Sequence, residues 1–290
     1  MALNFDGSTE YLQWNSGTGI ADDGADQGNI FMAVWFKAEN LTGGDQYLVS
    51  NVDGTDDGIG IIYEDEGTGS YAVESMRSIA VGNGSFSQSG TSANSVTADT
   101  WHHYAAWYST PGTNQYKSFI DGSEDTFYGT APANHLSGES GQSIEIGRAN
   151  GAVAYFDGSI ANVAVWSTAY TGDIEGSVFE SLAAGADPMF YIGSGSNARW
   201  RMQFCAHLDD HDGSNAYSAV EGYRHVQVGT VDTVGGTPTD EAFPHTIYSY
   251  HQDIGFGPAA GGGGGGSGIK WNGTDIDLNG LTNDKWNGYA

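Results

Sequence analysis

The sequence predicts an all-β protein, an antiparallel jelly-roll β-sandwich, and three observations predict it. Glycine supplies 45 of the 290 residues, roughly twice its usual share, while only 6 are proline, so many tight turns are implied. Aromatic residues make up 12% of the chain, a mix that suits short strands better than packed helices. Segments with a period of two recur along residues 1–185, and that alternation is the strand signal itself.

Ile30-Phe31-Met32-Ala33-Val34-Trp35-Phe36 is apolar on both faces, as a central strand between two layers must be. In the segment 101–108 the alternation assigns Trp101, His103, Ala105 and Trp107 to one face and His102, Tyr104, Ala106 and Tyr108 to the other. Tyr116-Lys117-Ser118-Phe119-Ile120 runs into Asp121-Gly122, a dipeptide that favours a two-residue hairpin bend. Ser143-Ile144-Glu145-Ile146-Gly147 and the segment Ser159 to Trp166 complete the series. Behind Thr171-Gly172-Asp173, which can cap a helix, Ile174, Val178 and Leu182 recur every four residues and predict one short helix ending at Gly185.

Past that boundary the strand signal is thinner. Residues 186–258 contain strand-like patches at 200–204, 223–228 and 246–250, which predict an appended β-rich subdomain or extra strands leaning on the sandwich. Gly261 to Gly266 is an unbroken glycine run, so 259–268 reads as a linker. In 269–290, Lys270-Trp271-Asn272-Gly273 recurs as Lys285-Trp286-Asn287-Gly288, with Leu278-Asn279-Gly280 between, and the Asn-Gly steps predict very short strands joined by type I′ bends. Such a segment is too short to bury its own apolar residues. Trp271, Ile276, Leu278, Leu281 and Trp286 are therefore candidate assembly residues, docking on another surface or another copy.

Composition excludes several functions. With 9 basic against 36 acidic side chains the formal charge is −27, which repels nucleic-acid phosphates and anionic lipid surfaces. The surplus is read as solubility, as carboxylates clustered around a divalent cation, or as both. The single cysteine, Cys205, excludes an internal disulfide and reads as a buried, inert thiol. Neither a signal-like start nor a membrane-length apolar run is present in the sequence.

Five motifs in order carry a family resemblance: Leu3-Asn4-Phe5-Asp6-Gly7-Ser8, Thr100-Trp101-His102-His103-Tyr104, Phe119-Ile120-Asp121-Gly122, Phe156-Asp157-Gly158-Ser159-Ile160-Ala161-Asn162-Val163, and Tyr170 to Gly185. Together they resemble the laminin-G-like domains of the concanavalin A-like superfamily found in bacterial and phage proteins. The resemblance implies a two-sheet jelly roll with a curved inner face. A vaguer likeness links Gly236-Thr237-Pro238-Thr239 and His245-Thr246-Ile247-Tyr248 to the tail that follows such domains in phage and prophage proteins.

That superfamily often carries a structural calcium ion. Asp6 and Asp157, in matched Phe-Asp-Gly-Ser tetrapeptides near the first and last strands, are the candidate metal ligands; the alternative is that each makes an Asx-type turn. Ala161-Asn162 stands where the family commonly has acidic residues. Trp14 and Tyr63, beside loop-like stretches, are candidates for stacking on a glycan. No catalytic residue is assigned: Glu64 and Glu66 have the spacing of a glycosidase pair but lie in a Gly- and Asp-rich stretch that reads as a loop. His102 and His103 read as strand packing, and the cluster His207, Asp209, Asp210, His211, Asp212 as a solvated turn.

These readings predict a virion structural protein of a tailed phage, a capsid decoration or fibre subunit. Its expected partners are other copies of itself, other virion proteins and glycans. The alternative is a carbohydrate-binding adhesive module of a bacterial surface or extracellular fibre.

Overall fold

The computed structural model describes residues 2–14, 29–51, 58–65, 74–82, 85–109, 116–126, 128–130, 144–149, 154–168, 176–186, 188, 201–206, 208, 215–222, 225–234, 239–241, 269–271 and 274–276. The chain divides into two compact units, Met1–Ser249 and Tyr250–Ala290. The first unit opens with β1 (Ala2–Asp6), β2 (Tyr11–Trp14), β3 (Asn29–Ala38), β4 (Gln46–Ser50), β5 (Gly58–Glu64), β6 (Ser75–Gly82) and β7 (Ser85–Gly90). It continues with β8 (His102–Ser109), β9 (Tyr116–Ile120), β10 (Ser123–Glu124), β11 (Tyr128–Thr130), β12 (Ile144–Ile146) and β13 (Asp157–Thr168). After α1 (Gly176–Ala183) come β14 (Arg201–Ala206), β15 (Asn215–Gly222), β16 (His225–Val234) and β17 (Thr239–Glu241), and the second unit contains β18 (Ile269–Trp271) and β19 (Thr274–Ile276).

Two antiparallel sheets face each other. One runs β10-β9-β8-β3-β13-β1-β17, with β14 also paired to β13; the other runs β11-β7-β6-β5-β4-β12-β2-β16-β15. The layer between them is built from alternate residues of the strands, among them Phe5, Met32, Val34, Phe36, Ile61, Tyr63 and Tyr104, together with Phe156 just ahead of β13. Burying each such aromatic is worth on the order of 2–3 kcal/mol relative to leaving it exposed. β8 obeys the predicted alternation: Tyr104, Ala106 and Tyr108 enter the core, whereas Ala105 and Trp107 join Phe31, Trp166 and Cys205 on the outer side beneath Phe179 and Leu182 of α1. The thiol of Cys205 is buried, as its apolar context predicts.

The core is not wholly apolar. Tyr104 Oη meets Ser78 Oγ at 3.0 Å and Ser118 Oγ at 3.1 Å, Ser118 Oγ meets Ser89 Oγ at 2.6 Å, and Tyr108 Oη donates to the Ser78 carbonyl at 2.7 Å. These hydroxyls come from β8 and β9 in one sheet and β6 and β7 in the other, so they fasten the two layers by satisfying one another. Burial pushes the Tyr104 phenol up to about 12, and it stays protonated to complete the network.

β13 is the longest strand, at 12 residues. One side pairs with β3, and the other carries β1 and then β14 end to end. The register with β3 shifts between Ala161 and Ala164, and Asn162 takes φ 50 there, a left-handed conformation that asparagine tolerates. Gly158 has φ +141, and a Cβ on it would lie 2.2 Å from the Lys37 carbonyl oxygen of β3.

Two of the predicted stops are present, whereas the helix cap at 171–173 and the Asn-Gly steps at 272–273, 279–280 and 287–288 lie outside the described residues. Ile120 pairs with Ser123 across Asp121-Gly122, whose φ angles of 51° and 81° fit a type I′ bend. α1 ends with Gly185 at φ 91, where its N–H bonds the Leu182 carbonyl and the Ala186 N–H bonds that of Ser181, a Schellman closure. Of the two alternatives for 186–258, the strands belong to the sandwich: β14 extends one sheet from β13, β17 pairs β1, and β16 pairs β2. Of the patch at 223–228, residues 225–228 belong to β16, and 223–224, 246–250 and the glycine run lie outside the described residues.

Replacing Gly158 with alanine forces either β3 or β13 to move. Gly158→Ala is expected to cost about 2–4 kcal/mol in urea unfolding; an unchanged midpoint would contradict the close approach.

Candidate functional site

The two predicted metal ligands are brought together, since Asp6 lies directly opposite Asp157 in the β1–β13 pairing. The Asp6 carboxylate is, however, consumed by its own turn. Oδ1 accepts the N–H groups of Ser8, Thr9 and Glu10 at 2.9, 2.8 and 3.1 Å, and Oδ2 accepts the hydroxyls of Ser8 and Thr9 at 3.0 and 2.7 Å. Burial works against its charge, but these bonds outweigh it and hold the carboxyl well below the usual carboxylate range. Among the described residues no group of three or more His, Cys, Asp or Glu side chains is placed to hold an ion. The geometry fits the Asx-type turn, and the residues present do not fit a calcium ion bridging Asp6 and Asp157.

Tyr63, expected beside a loop with its ring open to a glycan, instead faces the core. Its ring is buried in the inter-sheet core because the alternation of β5 turns Ile59, Ile61 and Tyr63 inward, and its hydroxyl donates to the Leu41 carbonyl at 3.1 Å. It offers no face to a sugar. Trp14 closes β2 opposite Ile144. Glu64 is also corrected: it is the last residue of β5 rather than a loop residue, fully buried, and its carboxylate meets the Arg77 guanidinium, which also lies 3.6 Å from Asp45. Burial drives its acid form up, against the pull of Arg77. Glu66, Asp209, Asp210, His211, Asp212 and His207 lie outside the described residues.

The two histidines of β8 are structural. Thr97 N–H donates to His102 Nε2 at 3.1 Å, so Nε2 is the acceptor and Nδ1 carries the proton that reaches Asp121 Oδ2 at 2.8 Å. Asp121 Oδ1 accepts the His103 N–H at 2.8 Å, which clamps the β9–β10 bend to β8. His103 packs edge-on against Trp35.

Among the described residues, a different group forms a polar and aromatic cluster. Leu12, Ile144 and Ile146 point into the core, so the alternation of β2 and β12 turns Tyr11, Gln13 and Glu145 to the opposite side. Arg148 then grips the buried Glu145 carboxylate with two bonds, Nε to Oε2 at 2.7 Å and Nη2 to Oε1 at 2.8 Å. Its guanidinium lies over the Tyr11 ring, 3.5 Å from the centroid, and Nη1 donates to Tyr155 Oη at 3.3 Å. Tyr11 and Tyr155 meet edge to face at 6.3 Å. The bonds to Glu145 hold the guanidinium charged far beyond its ordinary range, while burial raises the Tyr11 phenol against the pull of Arg148.

Local backbone geometry sets this cluster. Gly147 N–H donates to the Leu48 carbonyl and Phe156 N–H to the Gly147 carbonyl, each at 2.8 Å, which places Arg148 and Tyr155 side by side. Gly147 has φ +88, and a Cβ there would sit 2.7 Å from the Phe5 ring. Sequence reasoning missed all five residues. The available signal was a charged residue inside the apolar Ile144-Glu145-Ile146, with one of only nine basic residues three positions later.

A family model described as the concanavalin A-like lectin/glucanases superfamily, of laminin-G type, matches residues 6–173, more than half of the chain. The chain belongs to that family. No curated protein sequence matches it. Among solved structures, a Bacteroides ovatus protein named for carbohydrate binding superposes with a TM-score of 0.54 at 15% identity, covering 85% of this chain. This chain spans only 60% of that protein's length, and at such identity the likeness concerns the fold alone. Domain 4 of a Geobacillus stearothermophilus arabinanase, in complex with arabinotriose, gives 0.44 at 14% identity over 63% of this chain and 76% of its own. A carbohydrate-binding module of a Ruminococcus gnavus sialidase, bound to sialyllactose, gives 0.42 at 15% identity over 63% and 96%. The family's predicted two-sheet sandwich is the fold observed.

The Asp6 turn has a pH signature. Because its folded-state pKa is depressed, its stabilisation is complete above the unfolded value of about 3.9 and is lost as pH falls through the folded value. Melting temperature should therefore drop below about pH 4 in the parent protein. Asp6→Asn should flatten that decline, whereas chelators should leave the melting temperature unmoved. A chelator-induced drop that calcium reverses would restore the metal reading.

Proposed function

We propose that the sandwich is a non-catalytic glycan-binding module, displayed at the surface of a larger assembly, and that Gln13, Arg148 and Tyr155, which stand over the buried Tyr11 ring, receive the sugar. The observation that carries this reading is the patch itself. Sugars are recognised by aromatic rings against their C–H faces and by planar, fixed hydrogen-bonding groups against their hydroxyls, and Arg148 with Gln13 and Tyr155 supplies both kinds in one place. Membership in a lectin/glucanase superfamily and the carbohydrate-binding name of the Bacteroides ovatus protein support the same class of ligand.

The carboxylates argue against hydrolysis. Glu145 and Glu64 lie on the same outer side of one sheet. Glu145 is level with Ser50 and Gly60, so Glu64 is two strands across and four residues along. Strand dimensions put them about 16 Å apart, beyond the roughly 5–9.5 Å that glycosidase pairs require. Each is also committed to an arginine.

The finer reading is a tailed-phage virion protein, a capsid decoration or fibre subunit at the virion surface. The resemblance of residues 1–185 and 236–248 to phage proteins and the separate C-terminal unit support it. In that setting Trp271, Ile276, Leu278, Leu281 and Trp286 belong to the attachment segment; of these, Leu278, Leu281 and Trp286 lie outside the described residues. A bacterial surface adhesin uses the same sandwich and differs in what it is attached to.

A glycan array probed with the full chain tests the binding. Arg148→Lys keeps the charge beside Glu145 but loses the flat two-pronged grip, and Tyr155→Ala removes one ring. Each is expected to weaken the selected glycan at least about tenfold, roughly 1.4 kcal/mol, with circular dichroism unchanged. Tyr63→Phe, in the core, should bind as the parent does. No binding at millimolar glycan, or parental affinity in both patch variants, would overturn the proposal.

A further inference from the structure

We infer that the second unit joins copies of this chain head to tail, with β18 of one copy adding to β19 of the next. The inference rests on the display reading above and gives that display its attachment. β18 and β19 are three residues each and form a sheet of their own, so among the described residues both are edge strands. A two-stranded hairpin is marginal by itself in water, and an open edge is a template for another strand.

The register says which groups face outward. Trp271 pairs with Thr274, Lys270 with Asp275 and Ile269 with Ile276. Trp271 and Thr274 close a two-residue connection, and such a closing pair exchanges its hydrogen bonds within the hairpin. The next pair is then a non-hydrogen-bonded one, whose N–H and C=O groups point away from the partner strand. Those outward groups belong to Lys270 on the β18 edge and Asp275 on the β19 edge.

Charge decides how two hairpins pair. Joining β18 to β18 sets Lys270 against Lys270, and joining β19 to β19 sets Asp275 against Asp275; like charges directly opposite are destabilising. Joining β18 to β19 sets lysine against aspartate and continues the antiparallel alternation. Such a contact is heterologous, and it closes into a ring when the rotation between copies permits. The glycine run Gly261 to Gly266 ahead of β18 suits a segment that reaches a neighbour.

Sedimentation of the full chain tests this by pairwise rescue. The parent is expected as an oligomer of the 30.5 kDa chain, whereas Lys270→Asp alone and Asp275→Lys alone should each be monomeric. An equimolar mixture of the two variants should assemble again, because each β18 edge then meets an opposite charge on the other variant's β19 edge, while within every hairpin the charges still clash. A monomeric parent, single variants that stay assembled, or a mixture that stays monomeric would each overturn the inference. The glycan array run on the same variants keeps the two proposals apart: binding retained by monomers leaves the glycan reading standing, and an assembled parent that binds nothing removes that reading alone.

Discussion

The pairing of β13 on both sides is the constraint on which the rest of the sandwich depends. β3 lies along one side through nine paired residues, and β1 and β14 share the other, so a single strand joins the N-terminal residues to a segment two hundred positions later. Gly158 lets β13 approach the β3 backbone, and the bulge at Asn162 adjusts the twist beyond it. The start of β13 also determines where residues 154–156 lie. Phe156 bonds back to Gly147, and Tyr155 consequently stands beside Arg148.

Several carboxylates of this acidic chain shape turns and tie neighbouring strands together. Asp6 closes the β1–β2 turn, Asp121 ties the β9–β10 bend to β8 through His102 and His103, and Asp65 accepts the N–H groups of Gly43 and Gly44 ahead of β4. Each arrangement turns a carboxylate into a fixed acceptor for backbone donors, which explains why acidic residues next to glycine need not imply an ion. Arg148 and Glu145 follow different logic: a bidentate pair beside two tyrosines fixes a planar surface at the sandwich periphery.

Much of this architecture was legible because period-two patterning reports burial directly. The two faces of β8, the Asp121-Gly122 bend and the Gly185 helix stop depend on neighbours within a few residues, and each is found where local chemistry places it. Tyr63 and Glu64 were misread because glycine and aspartate on both sides obscured a strand whose residues are all buried. The Tyr11–Arg148–Tyr155 patch was invisible for another reason: its members come from three separate segments, and only the pairing of β2 with β12 and the Gly147–Phe156 bond bring them together. The placement of β14 to β17 within the two sheets likewise follows from long-range pairing that no local pattern encodes.

Arg148 is held between Tyr11, Glu145 and Tyr155, and the proposed glycan binding requires this surface to be formed before the ligand arrives. Nitrogen-15 NMR of the arginine side chains tests it most directly. One Nε–Hε resonance, assigned through Arg148→Lys, is expected to exchange slowly with water, to be displaced by the Tyr11 ring current, and to move on titration with the glycan chosen by the array. An Arg148 resonance that exchanges freely in the unbound chain, or stays still while the glycan binds, would contradict it.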